Sequence, residues 1–265
     1  MYFIFKFIAF LPLSLLQLFA GWIAIILYQY NSSMKRITQI NIKLAYPTLA
    51  PQAQQRLIKN SLKSQCRTYV EFVKIWGMPA EYNLSLLAKI HGEQHFTEAL
   101  ANKKGVIVVV LHYGCWELLN SWLSVYSEPV IMYKPNKIKG INRYLLEARQ
   151  KFKATLVPTD ESGIRAIFKT LKQGGLTVIL PDHLPKLSGG VYSDFFGQNA
   201  LSSTLVSKLA AKTQCNVVGL SCIRRANLTE FDVHCHRLPD EIRSKDVQQS
   251  VDCLNQEIEK MISIA

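Results

Sequence analysis

The 265-residue chain contains no Cys-x-x-Cys pair, no His-Glu-x-x-His, no Gly-x-Gly-x-x-Gly and no Gly-Lys-[Ser/Thr]. These absences remove zinc modules, zinc proteases, dinucleotide folds and P-loop nucleotidases from consideration. Ser188-Gly189-Gly190 lacks the rest of a phosphate loop and reads instead as a flexible lid. The six cysteines are scattered in a way that fits neither a disulfide framework nor a metal set, so they read as small hydrophobes in a reducing compartment. There is no internal repeat, no long linker and no second long apolar run. Acidic residues are scarce, 19 against 31 Lys plus Arg, which leaves a net charge of +12 and calls for an anionic partner. No aromatic-basic binding module accompanies the charge, so nucleic acid is not the expected partner. With 49% hydrophobic residues the chain can bury a core and is not disordered.

Charge is distributed unevenly. Phe7 to Tyr28 is a stretch of 22 residues without a charge, about 33 Å as a helix, which matches the hydrocarbon thickness of a bilayer. A cleaved signal peptide would be shorter and would end at a small-residue site, so the stretch reads as an uncleaved anchor. Pro12 and Gln17 weaken a full span and leave a tilted or half-inserted helix open. Residues 31 to 75 then carry eight basic side chains and one acid, Glu71. Because basic segments stay on the cytoplasmic side, the expectation is an inner-membrane protein whose main body faces the cytoplasm. The expected organisation is an anchor at 1–30 and a cytoplasmic domain at 31–265, whose first part, 31–78, is basic, helical and close to the membrane.

Thr48 and Pro51 are start signals for a helix running to about Trp76. Beyond Pro79, strand-like and helix-like runs alternate. Strands are expected at Val106 to Leu111, Val130 to Tyr133, Thr155 to Val157, Leu176 to Leu180, Val217 to Ile223 and Phe231 to His236. Helices are expected at Trp116 to Tyr126, Ile141 to Phe152, Ser162 to Leu171, Thr204 to Lys212 and Val247 to Ile262. Such alternation predicts an α/β fold with a mostly parallel sheet flanked by helices, preceded by one N-terminal membrane-anchor helix.

Where the first of these strands meets its helix, the chain reads Leu111-His112-Tyr113-Gly114-Cys115-Trp116-Glu117. Ligands gather at the carboxyl ends of strands in open α/β sheets, and imidazole is the side chain best tuned for proton transfer near neutral pH. A tight turn at Gly114 can fold the Glu117 carboxylate back onto the His112 ring and fix its tautomer. The same residues also read as a helix cap and a first-turn acid favoured by the helix dipole. Spacing alone does not choose between them. Cys115, three residues from His112, leaves a covalent acyl-cysteine step open. His234 and His236 share one strand face without an evident third ligand, and His91 and His95 read as loop and helix-start residues, so no metal site is expected.

The His112–Glu117 segment resembles the H-x-x-x-x-[DE] block of the lipid A biosynthesis acyltransferases, where H-[YF]-G-N-W-E is frequent. Other blocks agree in order: Asn41-x-x-Leu44-x-x-Pro47, Met132-Tyr133-Lys134-Pro135-Asn136, Leu180-Pro181-Asp182-His183, and Gly190-Val191-Tyr192-x-x-Phe195-Phe196-Gly197. The resemblance covers about residues 35 to 238. It implies a glycerolipid-acyltransferase-like fold and a membrane-bound enzyme that moves a fatty acyl group from acyl carrier protein to a hydroxyl of a lipid A precursor. No cofactor is implied, the donor being carried on the phosphopantetheine of acyl carrier protein. The implied partners are that carrier protein, an anionic glycolipid acceptor and the membrane. His112 would be the general base and Glu117 the carboxylate that orients it. Arg149, Asp182, Tyr133, Lys134 and Gly114 fall at substrate-binding positions by the same resemblance. Two departures stand out: Cys115 replaces a frequent Asn, and the sequence ends at Ala265 without the tail many members carry. Acylation of another membrane lipid, such as a lysophospholipid, and a non-catalytic anchored relative are the competing expectations.

Overall fold

The computed structural model describes residues 1–30 and 32–264. The expected domain start at residue 31 and the chain end at Ala265 lie outside the described residues. Two compact units divide at Met78/Pro79, so residues 32–78 fold with the N-terminal apolar segment in one unit.

The first unit holds four helices: α1 (Tyr2–Phe10), α2 (Leu13–Gln29), α3 (Ser33–Ala45) and α4 (Pro51–Gly77). The single anchor helix expected from the charge-free stretch is broken into two. α1 and α2 are bent by 118°, and among the described residues no single helix is long and apolar enough to cross a membrane. Pro12 is the cause. It has no N–H to continue the ladder, and it forces Leu11 into extended backbone (φ −65°, ψ 148°). Carbonyls left open at the break are taken by Lys74, whose Nζ donates to Ala9 O (2.7 Å) and Leu11 O (2.8 Å). Ala20 and Ala24 of α2 pack on Ile58, Leu62 and Cys66 of α4. The outer face of the bent pair leaves Phe3, Phe7, Phe10, Trp22 and Ile25 more than half exposed. Ser32 caps α3 by accepting from Lys35 N, and Pro51 opens α4 at its first helical position.

The second unit begins with α5 (Ala80–Ser85), β1 (Leu87–His91), α6 (Glu93–Ala101) and β2 (Val106–Val110). It continues through α7 (Leu119–Tyr126), β3 (Val130–Met132), α8 (Lys139–Lys151), β4 (Thr155–Val157), α9 (Glu161–Lys172) and β5 (Leu176–Ile179). A hairpin, β6 (Gly190–Phe195) and β7 (Gln198–Ser203), precedes α10 (Leu205–Thr213), β8 (Asn216–Arg224), β9 (Phe231–Arg237) and α11 (Val247–Ile262). The seven-stranded sheet has the order β1-β9-β8-β2-β5-β3-β4, and β8–β9 is its one antiparallel pairing. The expected α/β class and mostly parallel sheet are therefore present.

β2 is central and buried along its whole length, as its β-branched run requires. Successive side chains alternate faces. Ile107, Val109 and Leu111 join a core built with Ile167 of α9, Leu209 of α10 and Ile258 of α11. Val110 points to the other face, where it lines a cavity with Leu119 and Leu123 of α7, and His112 continues that alternation past the strand end.

β1, α5 and the β6–β7 hairpin have no counterpart among the sequence expectations, whereas α6 carries in its first turn the His95 read as a helix start. β1 is only half-buried and polar, so its pattern does not stand out. The hairpin closes through Phe196 (φ 51°) and Gly197 (φ 73°), two successive left-handed residues as a two-residue hairpin turn requires. Side chains of α11 anchor it: Asn255 Nδ2 reaches Ser193 Oγ (3.0 Å), Asp194 O (3.0 Å) and Ser202 Oγ (2.8 Å), Gln248 Nε2 donates to Tyr192 O (2.9 Å), and Glu259 Oε1 accepts from Phe196 N.

Candidate active site

His112 follows β2 and Asp182 follows β5, the neighbouring strand in parallel pairing, so both leave the carboxyl edge of the sheet side by side. One carboxylate holds the histidine twice. The backbone N–H of His112 donates to Asp182 Oδ2 (2.7 Å), and the ring Nδ1 lies 2.8 Å from Oδ1. An ionised carboxylate only accepts, so Nδ1 carries the proton and Nε2 is left as the basic nitrogen. Burial pushes the Asp182 carboxyl up. Hydrogen bonds from the His112 ring and backbone, with the ring's charge, outweigh it and leave the pKa below the ordinary carboxylate value.

Two further rings fix the imidazole. His183, next to Asp182 in sequence, stacks on its face with centroids 4.2 Å apart and planes 10° apart. Trp116 meets it edge-on at 5.2 Å. The turn after β5 thus supplies both the carboxylate and the stacking ring.

The hydrogen bonds described for the Glu117 carboxylate run to partners other than His112. Its Oε1 accepts from Arg149 Nη2 on α8 at 2.7 Å, and Asn120 Nδ2 donates to its backbone oxygen (3.1 Å) and to Oε2 (3.3 Å). The pair is buried, with side chains 13% and 7% exposed. Geometry of the intervening turn explains this placement. Gly114 has φ +63°, and a Cβ there would sit 2.2 Å from the Cys222 carbonyl oxygen. Cys115 N donates to that same oxygen (2.8 Å), so the chain is drawn across the end of β8. Residues Trp116–Leu118 then coil as a 3₁₀ turn that carries Glu117 inward toward α8.

His112, Glu117 and Arg149 nevertheless share a cavity of about 180 Å³, whose other walls include Trp116, Leu119 and Met132. Of the remaining expected binding residues, Tyr133 braces its loop by donating to Asn142 Oδ1, which also accepts from Asn136 N (2.8 Å). Burial raises its pKa, partly offset by Asn136 and Arg149. Lys134 is exposed on the same loop and is not among the residues that line the cavity. Cys115 is completely buried, which leaves a bulky thioester no path to its sulfur. Tyr113 beside it is pushed up to about 12 by burial and by Cys222, so it stays a phenol.

A second, more open groove of about 350 Å³ begins at Asp182 and His183 and runs between Leu184, Phe195, Leu201 and Ile258. Its walls are the loop after β5, the hairpin and α11. The stacking role of His183 was missed from sequence although the Pro181-Asp182-His183 block was in view, because ring stacking depends on how two loops meet.

The other histidines pack together. His91 ends β1 rather than lying in a loop, and its ring stacks on that of His234 at 4.5 Å across the β1–β9 pairing. Burial, then the neighbouring His91, lowers the His234 pKa; burial and His234 likewise lower that of His236. Among the described residues no group of three or more His, Cys, Asp or Glu side chains is placed to hold a metal ion.

Comparison with known proteins agrees with the blocks that flank this site. Residues 1–265 match the family described as bacterial lipid A biosynthesis acyltransferase. A lipid A biosynthesis acyltransferase of Haemophilus influenzae is 21% identical over 259 residues, 97% of this chain and 80% of that protein. A lipid A biosynthesis lauroyltransferase of Escherichia coli K12 is 21% identical over 182 residues, 68% of this chain and 58% of the relative's own length. The family match spans the strand-end His112, its Asp182 partner and the buried Glu117–Arg149 pair alike, and the chain belongs to the bacterial lipid A biosynthesis acyltransferases.

Proposed function

We propose that this acyltransferase moves a fatty acyl group from the thioester of acyl carrier protein to a hydroxyl of a lipid A precursor at the cytoplasmic face of the inner membrane. In this reading His112 Nε2 removes the acceptor proton as the hydroxyl oxygen attacks the thioester carbonyl. The new ester bond forms, the carbon–sulfur bond breaks, and the proton passes from the imidazolium to the departing thiolate.

The observation that carries the reading is the double grip of Asp182 on His112. It fixes one tautomer before substrate arrives and stabilises the imidazolium as it forms. Glu117 keeps a positioning role at one remove, by holding Arg149 against the cavity wall. A guanidinium has five N–H donors in a fixed fork, so one that bonds Glu117 keeps others for an oxyanion or a phosphate oxygen. The groove between Leu184, Phe195, Leu201 and Ile258 supports an apolar chain lying beside the base.

Mass spectrometry of lipid A from cells with and without the gene, complemented by wild type or His112→Ala, tests the assignment. One acyl chain fewer in the deletion and in the His112→Ala strain is expected. Unchanged lipid A with an altered phospholipid profile would move the acceptor to a lysophospholipid. No His112-dependent transfer or hydrolysis by the purified protein would leave a non-catalytic relative.

A further inference from the structure

The charge count assigns the membrane-facing excess to residues 31–75, but the second unit carries a basic, apolar rim of its own around the site. Two loops leave adjacent parallel strands at the carboxyl edge, residues 133–138 after β3 and residues 180–189 after β5. Strand neighbours lie about 4.8 Å apart, so the loops emerge next to each other, the loop after β5 beside His112 and the loop after β3 one strand further out. The first exposes Lys134, Lys137 and Ile138, with Lys139 opening α8; the second exposes Leu184, Lys186 and Leu187. Leu184 and Leu187 are 82% and 74% exposed, far beyond what a side chain facing water gains from.

Both loops are held in shape. Asn142 Oδ1 accepts from Tyr133 and Asn136 in the first, and Asn136 Oδ1 accepts from Ile138 N. In the second, Gly189 N donates to Lys186 O, and the Gly189 carbonyl accepts from both Thr204 N and Thr204 Oγ1. Neither outward-facing stretch, 134–139 or 184–187, contains an acid. Acids on the next connection are engaged locally: Asp160 caps α9 through Ser162 N, and Glu161 lies 3.7 Å from Arg165. Lysines interleaved with exposed aliphatic side chains, on braced loops, match the interface of a bilayer whose surface is anionic.

We infer that these two loops seat the catalytic unit on an anionic lipid bilayer, with Leu187 and Ile138 in the headgroup region and the lysines on lipid phosphates. The mouth beside His112 then opens at the membrane surface, and a lipid acceptor reaches the base without leaving the bilayer. That last step rests on the acyl-transfer reading; the seating does not.

The test places a polarity-sensitive fluorophore on Leu187→Cys in the full chain, with the unsubstituted protein as labelling control, since five of its cysteines are buried and Cys253 partly so. On phosphatidylglycerol/phosphatidylethanolamine vesicles the emission should shift to the blue. The shift should be absent on pure phosphatidylcholine and should vanish in Lys137→Glu/Lys139→Glu/Lys186→Glu. Neutralising each of these lysines should weaken the apparent lipid affinity of the probe site about fivefold, the equivalent of about 1 kcal/mol. A probe that stays in water on anionic vesicles to which the chain is bound overturns the inference. An equal shift on phosphatidylcholine overturns its electrostatic half. Turnover of a detergent-dispersed acceptor should be unchanged in the triple variant while KM for a vesicle-embedded one rises. Loss of turnover in both formats would count against the seating and not against the chemistry.

Discussion

Asp182 grips His112 through both carboxylate oxygens, one on the backbone N–H at 2.7 Å and one on the ring Nδ1 at 2.8 Å. Backbone and side chain of the same histidine are thereby locked to the neighbouring strand's loop. Five residues on in sequence, Glu117 is buried in an ion pair with Arg149.

Asp182→Asn keeps the shape and removes the charge that fixes the tautomer. Turnover should fall by about three to four orders of magnitude, as when the carboxylate of a triad is neutralised. Circular dichroism should show the fold intact. Single-turnover assays on Asp182→Asn and His112→Ala check this, and a near-normal Asp182→Asn rate would return the orienting role to another group.

Glu117 and Arg149 predict a different pattern. Removing either partner strands the other charge in a site 7% to 13% exposed, so Glu117→Ala and Arg149→Ala should each cost about 3–5 kcal/mol of stability. Glu117→Gln/Arg149→Met should be milder than either single truncation. Denaturant midpoints of the three variants decide it.

Gly114→Ala should destabilise the chain and misplace His112 together. The new Cβ meets a backbone oxygen at 2.2 Å, and that oxygen belongs to a central strand that cannot yield. Gly197, also at positive φ (+73°), has nothing within 4 Å of a built Cβ. Gly197→Ala should therefore show only the conformational cost of about 1–2 kcal/mol, and Gly114→Ala distinctly more, with loss of turnover added. Urea unfolding of the two side by side separates backbone strain from collision.

Stability should respond to acid through Asp182. Its folded pKa lies below the ordinary value, so its contribution is fully present above the unfolded pKa of about 3.9. That contribution is lost as pH falls from there through the depressed folded pKa. Melting temperatures of wild type and Asp182→Asn should differ most at neutral pH and converge below about pH 4. A gap that persists undiminished at low pH would mean that the contact stabilises by packing and not by charge.

Much of the fold is readable residue by residue. Val106 to Leu111, Leu176 to Leu180 and Val247 to Ile262 announce their elements because burial of a β-branched run or of one helix face leaves a periodic mark. β1 leaves none, since an edge strand exposed along half its length has no such mark. The β6–β7 hairpin turns at Phe196-Gly197, without the Asn-Gly that usually signals one. In the first unit the 22 charge-free residues measure out a span, yet one proline divides them. Composition counts charge and length; a proline acts on geometry.

Sequence by itself determined the α/β alternation, the placement of His112 at the end of a central strand, the basic excess and, through its ordered blocks, the acyltransferase family. Tertiary structure alone decided which carboxylate lies against His112. Five residues separate His112 from Glu117 and seventy separate it from Asp182, yet the nearer carboxylate is carried away by the turn at Gly114. The farther one arrives because β2 and β5 are hydrogen-bonded neighbours. A hydrogen bond depends on distance in space, and in a parallel sheet the strand order sets that distance.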